Sequence, residues 1–378
     1  AAAALAALGA LSACTSGTSA TTSALSVTVS RGSCGGTWQA SGGLRTFQVH
    51  NVDIVTTEVD LIDPATGGVY AEVESLAPNA TRPMQVQLGH GRYAFRCYPE
   101  DTDALNGPTV RITTGEATGS SAVLPLSGVD LAPAVKTYKA YVNAGLATLA
   151  TEVATLDAAV NSGDRTRAQA AWLPAHLRYN RLGAAYDSFG DFADEIDGMP
   201  DGLPGGVNDP DFAGFHRVEY GLWHGESMVS LAKPADALVS AVAGLRKNFP
   251  TEQIDPNDLP LRAHEILENT LQFQLSGHAD EGSGTSLATA VANVDGTQAV
   301  LNAIAPEMSA RYTGWAHVAT WITTARSALA VAARPGGGWT PVAALSVADR
   351  QRIDSAVGGL LEALAPIAAI GDVRRTND

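Results

Sequence analysis

The feature that most constrains this chain is a change of hydrophobic period near residue 115. Before it, Ser26-Val27-Thr28-Val29, Thr46 to His50, Thr57 to Leu61 and Met84 to Leu88 alternate apolar and polar residues. Turn signals separate these runs at Gly35-Gly36, Gly42-Gly43, Asp63-Pro64, Gly67-Gly68 and Pro78-Asn79. Beyond residue 115 the chain becomes Ala-rich, and Val142, Leu146, Leu149, Val153 and Leu156 recur at helical spacing until Asn161-Ser162-Gly163. Further helices are expected at 165–189, 212–223, 234–247, 259–275, 285–304, 307–331 and 347–369. One layer type cannot serve both periods. The expected fold is therefore multi-domain α and β: a β-sandwich over 25–114, a linker over 115–132 and an all-α domain of bundle type over 133–378.

The first 24 residues form a separate region. AAAALAALGALSAC is too short an apolar run to span a bilayer and has the character of a secretion-signal core. Leu11-Ser12-Ala13-Cys14 resembles a bacterial lipobox, which makes Cys14 the expected lipidation site and residues 15–24 a polar tether. No later segment has the uninterrupted apolar length expected of a membrane helix, so the expected location is extracytoplasmic, lipid-anchored at a cell surface or in a periplasm. Export leaves Cys34 and Cys97 in an oxidising compartment, where a disulfide is their expected state. Such a bridge stabilises a fold by about 4 kcal/mol on the chain-entropy account. The 45% hydrophobic and 17% charged composition is that of a globular chain. A formal charge of -15 repels nucleic acid and anionic headgroups and attracts cations, although it also serves simple solubility.

His216 and Glu219 stand three apart on a predicted helix and share one face, where an imidazole and a carboxylate can ligate one cation. The Gly-, Pro- and Asp-rich loop from Gly198 to Asp211 opens directly into this helix, and long loops of that kind are usually functional. A solvated surface pair is the competing reading of so short a motif. The helix from Trp172 carries His176, Asn180 and Gly183 on one face, with Asp187 beyond them. Its predicted continuation runs through Asp191 and Asp194 to Asp197. A third set, His264, Glu265 and Glu268, suits a ligand role or a surface ion pair equally. In the β region Glu58, Glu72, Glu74, Met84 and His90 are candidates, with Glu58, Glu72 and His90 a possible second metal site. A type 1 copper centre needs His and Met soon after a ligand Cys, and Cys97 is followed by Tyr98-Pro99-Glu100-Asp101-Thr102-Asp103.

The strings Trp172-Leu173-Pro174-Ala175-His176-Leu177, Phe189-Gly190-Asp191, Asp211 to Trp223 around Phe215-His216-Arg217-Val218-Glu219, and Arg262 to Glu268 together resemble the imelysin-like family. Within it they are most similar to the EfeO-type lipoproteins of Efe iron-uptake systems. The resemblance implies a cupredoxin-like N-terminal domain and a helical domain of two packed four-helix bundles with a metal site around H-x-x-E. His216 and Glu219 match that motif, and Asp197 matches a further family carboxylate. Asn180 and Gly183 stand where the family has Glu-Arg-x-Glu, and His176, one turn earlier, is the stand-in ligand. An amide oxygen is a weaker, neutral ligand, whereas hard cations favour carboxylates. The implied cargo is iron, ferrous or ferric, with copper or zinc as alternatives. The implied partners are a membrane iron permease and a haem-peroxidase-type protein, and no nucleic acid. Two other functions compete with a non-enzymatic binding protein: a metallopeptidase, and a metal-free ligand or polysaccharide receptor on the same scaffold.

Overall fold

The computed structural model describes residues 24–373, so Cys14 and its lipobox lie outside the described residues. The chain divides into two compact units, with the boundary between residues 122 and 123.

The first unit has two sheets. One runs β2 (Ser33–Cys34), β1 (Leu25–Ser30), β3 (Gly43–Asn51) and β6 (Thr81–Leu88). Its β1–β3 pair is parallel, and its other pairs are antiparallel. The other runs β5 (Val69–Leu76), β4 (Thr57–Ile62), β7 (Gly91–Pro99) and β8 (Leu105–Asn106), with β9 (Val110–Ile112) also paired to β7. Period-2 burial turns Val29, Phe47, Val49 and Met84 from one sheet onto Val59, Leu61 and Phe95 from the other. Phe47 and Phe95 meet edge to face across that core with centroids 5.2 Å apart. Cys34 and Cys97 form a disulfide that joins β2 of one sheet to β7 of the other. The segment after β9 stays on this unit through backbone bonds from His90 to Ala117 and from Ser120 to Gln87.

The second unit is helical: α1 (Gly128–Asn161), α2 (Arg165–Asn180), α3 (Phe192–Asp197), α4 (Gly214–Trp223), α5 (Met228–Asn248), α6 (Asp258–Asn269), α7 (Ser286–Arg311), α8 (Trp315–Leu329) and α9 (Val347–Gly371). α1 packs on α2 and α5, and α4 on both α2 and α5; α6 packs on α7 and α9, and α8 on α7 and α9. α7 also touches α1 and α2, so two four-helix groups share one continuous apolar core.

Four expectations change. The helix expected over 165–189 ends at Asn180, continues as a 3₁₀ turn over Gly183–Phe189, and stops at Gly190, whose φ is +56°. The break expected between 304 and 307 is absent, because Pro306 lies within α7; the chain turns at 312–314 instead. The strand Val69–Leu76 was not among the expected ones. Finally, Met228–Thr251 and Val347–Gly371 are long and apolar enough to cross a membrane by length and composition alone. In the fold each turns one face into the helical core, burying Leu231, Leu238 and Leu245 in the first and Ile353, Leu360 and Leu364 in the second.

Candidate metal centre

α2 starts at Asp164, whose side chain accepts from the Arg167 N–H, and it turns Trp172, His176 and Asn180 inward. The Trp172 indole N–H donates to the Phe215 carbonyl at 3.0 Å and thereby ties α2 to α4. α3 delivers Asp197 at its last position. α4 begins at Gly214, where φ is +76° and an added Cβ would lie 2.3 Å from the Ile196 carbonyl oxygen. Only glycine allows the start of α4 to press against the end of α3, and that contact lays His216 beside Asp197.

Three donors converge. His176 Nε2 lies 3.1 Å and His216 Nε2 3.8 Å from the same Asp197 oxygen, Oδ1. All three donor atoms lie within 4.8 Å of one another, and among the described residues this is the one such group of His, Cys, Asp or Glu. An octahedral ion with bonds near 2.1 Å holds neighbouring ligands about 3 Å apart, so the spacing suits a shared ion after small adjustments. Both His176 ring nitrogens and Asp197 Oδ1 are buried without a hydrogen-bond partner, so the 3.1 Å approach is not an aligned hydrogen bond. Buried polar atoms are nearly always satisfied, and the facing orphans His176 Nε2 and Asp197 Oδ1 indicate a guest. Two imidazoles and one carboxylate with open positions are the ligand set of mononuclear non-haem iron(II) sites.

Glu219 takes a different place from the one its spacing suggested. Its Oε2 lies 3.3 Å from His216 Nδ1, and its Oε1 accepts the Ser283 N–H at 3.1 Å. The carboxylate therefore sits behind the imidazole and turns His216 Nε2 toward Asp197. Burial lowers the His216 pKa, but the Glu219 hydrogen bond and the charges of Asp197, Glu219 and Glu281 outweigh it and raise the pKa to about 9. Burial raises the Glu281 carboxyl, with His216 opposing and Glu219 and Asp201 adding to the shift.

Beside the donors lies a cavity of about 150 Å³. Asn180, Gly183, Asp197 and His216 form one wall; Arg262, Ile266, Asn269, Phe273, Gln274 and Asn293 line the rest together with Tyr186, Met199 and Ala279. Phe273 and Gln274 reach it because α6 passes into a π-helical turn over Thr270–Gln274, closed by Leu275 N–H to the Thr270 carbonyl. The Asn180 amide N–H donates to the His176 carbonyl, which leaves its oxygen for the cavity.

The other sequence candidates lie apart from this cluster. His264 Nδ1 is 3.7 Å from Glu268 on the half-buried side of α6, and Glu265 pairs with Arg262 at 2.8 Å. In the β unit Glu58 and Glu72 are half-buried on β4 and β5, His90 is exposed between β6 and β7, and Met84 is a core residue. Sequence reasoning missed Asn269, Gln274, Glu281, Ser283 and Asn293. One signal was present: Thr289, Asn293 and Thr297 recur every fourth residue as buried polar positions in an otherwise apolar helix.

The family model described as Imelysin matches residues 134–316, from α1 to the start of α8, so the helical unit is imelysin-like over that stretch. The chain is similar to "Iron uptake system component EfeO" of Escherichia coli O1:K1, 31% identical over 64% of this chain and 63% of that protein. It is also similar to the protein of the same name from Yersinia pestis, 29% identical over 70% of this chain and 68% of that protein. The chain thus spans 63% of the length of the Escherichia coli relative.

Proposed function

We propose that this chain is an extracytoplasmic iron-binding component of an Efe-type uptake system, which captures iron and delivers it to a membrane permease. A haem-peroxidase-type partner and a lipid anchor at Cys14 complete the reading. Iron uptake is taken from the relatives' names. What carries it to this chain is the convergence of two buried imidazoles and a carboxylate on one point, where His176 Nε2 and Asp197 Oδ1 have no hydrogen-bond partner. In this reading His176, Asp197 and His216 ligate the ion, Asn180 offers its amide oxygen as a weaker donor, and Glu219 orients His216. His264, Glu265 and Glu268 remain outside the ligand set.

The test is anaerobic titration calorimetry with ferrous ion, repeated with ferric chelate, copper and zinc. Wild type is expected to bind one ion, and His216→Ala and His176→Ala to lose measurable binding. Identical titrations for all three proteins would sink the proposal.

A peptidase would need a free carboxylate to activate a metal-bound water. Both Glu219 oxygens are engaged, by Ser283 and His216. Denatured protein incubated with the metal-loaded chain is therefore expected to stay intact; metal-dependent cleavage lost in Glu219→Ala would replace the binding reading with an enzymatic one.

A further inference from the structure

The iron-binding reading leaves the ion incomplete. Its three close donors carry one negative charge, from Asp197, against two or three positive charges on iron. Half of an octahedron stays open. His216 and Asp197 are themselves part of the cavity wall, so the open positions face the cavity. On that same wall Gly183 contributes no side chain and Asn180 only a neutral amide.

The far wall is built to hold oxygen atoms. Two terminal nitrogens of Arg262 are occupied by Asp187 and Glu265, yet its Nε is buried without a partner. The Gln274 amide oxygen is also buried and unpartnered. A half-turn of that amide presents N–H groups in place of the oxygen. The cavity of about 150 Å³ is the size that accepts a benzene-sized guest of about six heavy atoms. Water alone would satisfy the amides, but it would add no second negative ligand to the one carboxylate that reaches the ion.

Resting on the iron-binding reading, we propose that the chain binds its metal as a ternary complex with a small chelating oxyanion, either carbonate or a dicarboxylate of oxalate size. Two of its oxygens take open positions beside His216 and Asp197. Its outer oxygens accept from Arg262 Nε and the cavity amides. The exogenous anion thereby supplies the negative charge that Asn180 and Gly183 do not.

The experiment loads the whole chain anaerobically with ferrous ion in carbonate-free buffer containing radiolabelled oxalate or, in a second arm, radiolabelled bicarbonate. Metal and label per protein are counted after desalting. The expected result is one label per bound metal in one arm and none when metal is omitted. Asn180→Asp, nearly isosteric, places a protein carboxylate at the wall; it is expected to hold metal more tightly and to shed the label by at least about tenfold. Arg262→Met is expected to weaken label retention, and the aspartate variant keeps the test decisive if the methionine variant misfolds. Metal retained without label in both arms overturns this proposal and leaves the iron-binding reading standing. No metal retained under any condition overturns both. Label retained without metal, or undiminished in Asn180→Asp, also overturns the co-ligand role.

Discussion

Two contacts fix the Glu219 carboxylate: the Ser283 N–H on one oxygen and His216 Nδ1 on the other. Glu219→Gln keeps the size and one acceptor but loses the charge that orients the imidazole. Ferrous affinity by calorimetry is expected to fall about 10–100-fold, the usual scale for a partner behind a metal ligand, with the circular dichroism unchanged. A second residue governs the same geometry from the backbone. Gly214→Ala would put a methyl group 2.3 Å from the Ile196 carbonyl at a positive φ. The backbone strain alone costs about 1–3 kcal/mol, so a lower melting temperature together with weakened metal binding is expected in calorimetry. The motif located His216 and Glu219 in the sequence, because both lie on one buried helix face. It did not separate their roles, because i, i+3 spacing says that two side chains are neighbours and not which of them reaches the ion. His176 was legible as a stand-in only through the missing carboxylates at 180 and 183.

Elements were legible where one periodicity ruled and illegible where tertiary contacts overrode it. α1 is the clear case: its buried residues Val142, Leu146, Leu149, Val153 and Leu156 form the stripe that the sequence displays. α2 and α3 are the opposite case, because nothing local announces that the chain leaves the helix after Asn180. The space at Gly183 is limited by Ile266 on a distant helix, 3.1 Å from an added Cβ. Pro306 misled in the other direction, since a helix within a packed core can absorb one lost hydrogen bond. A local device at the start of α1 gives a pH prediction. Ser127 and Asp130 form a reciprocal capping box, and hydrogen bonds from Ser127, backbone first and hydroxyl second, hold the Asp130 carboxyl below its ordinary value of 3.8. A folded pKa below the unfolded one stabilises the native state above the unfolded value. That contribution is lost as pH falls through the folded value. Thermal melts of Asp130→Asn and wild type should therefore differ at neutral pH and converge below about pH 3.

On the scale of the molecule, the change of composition along the chain falls close to the boundary of the two units, between residues 122 and 123. Both cysteines of the disulfide lie in the first unit, and His176, Asp197 and His216 of the candidate metal centre lie in the second. Reduction is expected to destabilise the β unit by about 4 kcal/mol and to lower its calorimetric transition. The helical transition and ferrous binding should stay as they were. A single transition shifted as a whole would show that the units unfold together. By length and composition α5 and α9 could cross a membrane, and in the fold each turns one apolar face into the helical core.

The π-helical turn at Thr270–Gln274 carries a consequence for how this site can be gained or lost. A turn closed one residue later than an α-turn advances everything after it by one step, about 100° of helical phase. The cavity's far wall therefore depends on the count of residues between α6 and α7 as much as on their identity. Substituting Gln274 edits one side chain, whereas removing any one residue of the turn would wind Phe273 and Gln274 off the wall together. In a chain like this, a single codon's length change between two otherwise unaltered helices is enough to redefine what fits beside His216 and Asp197.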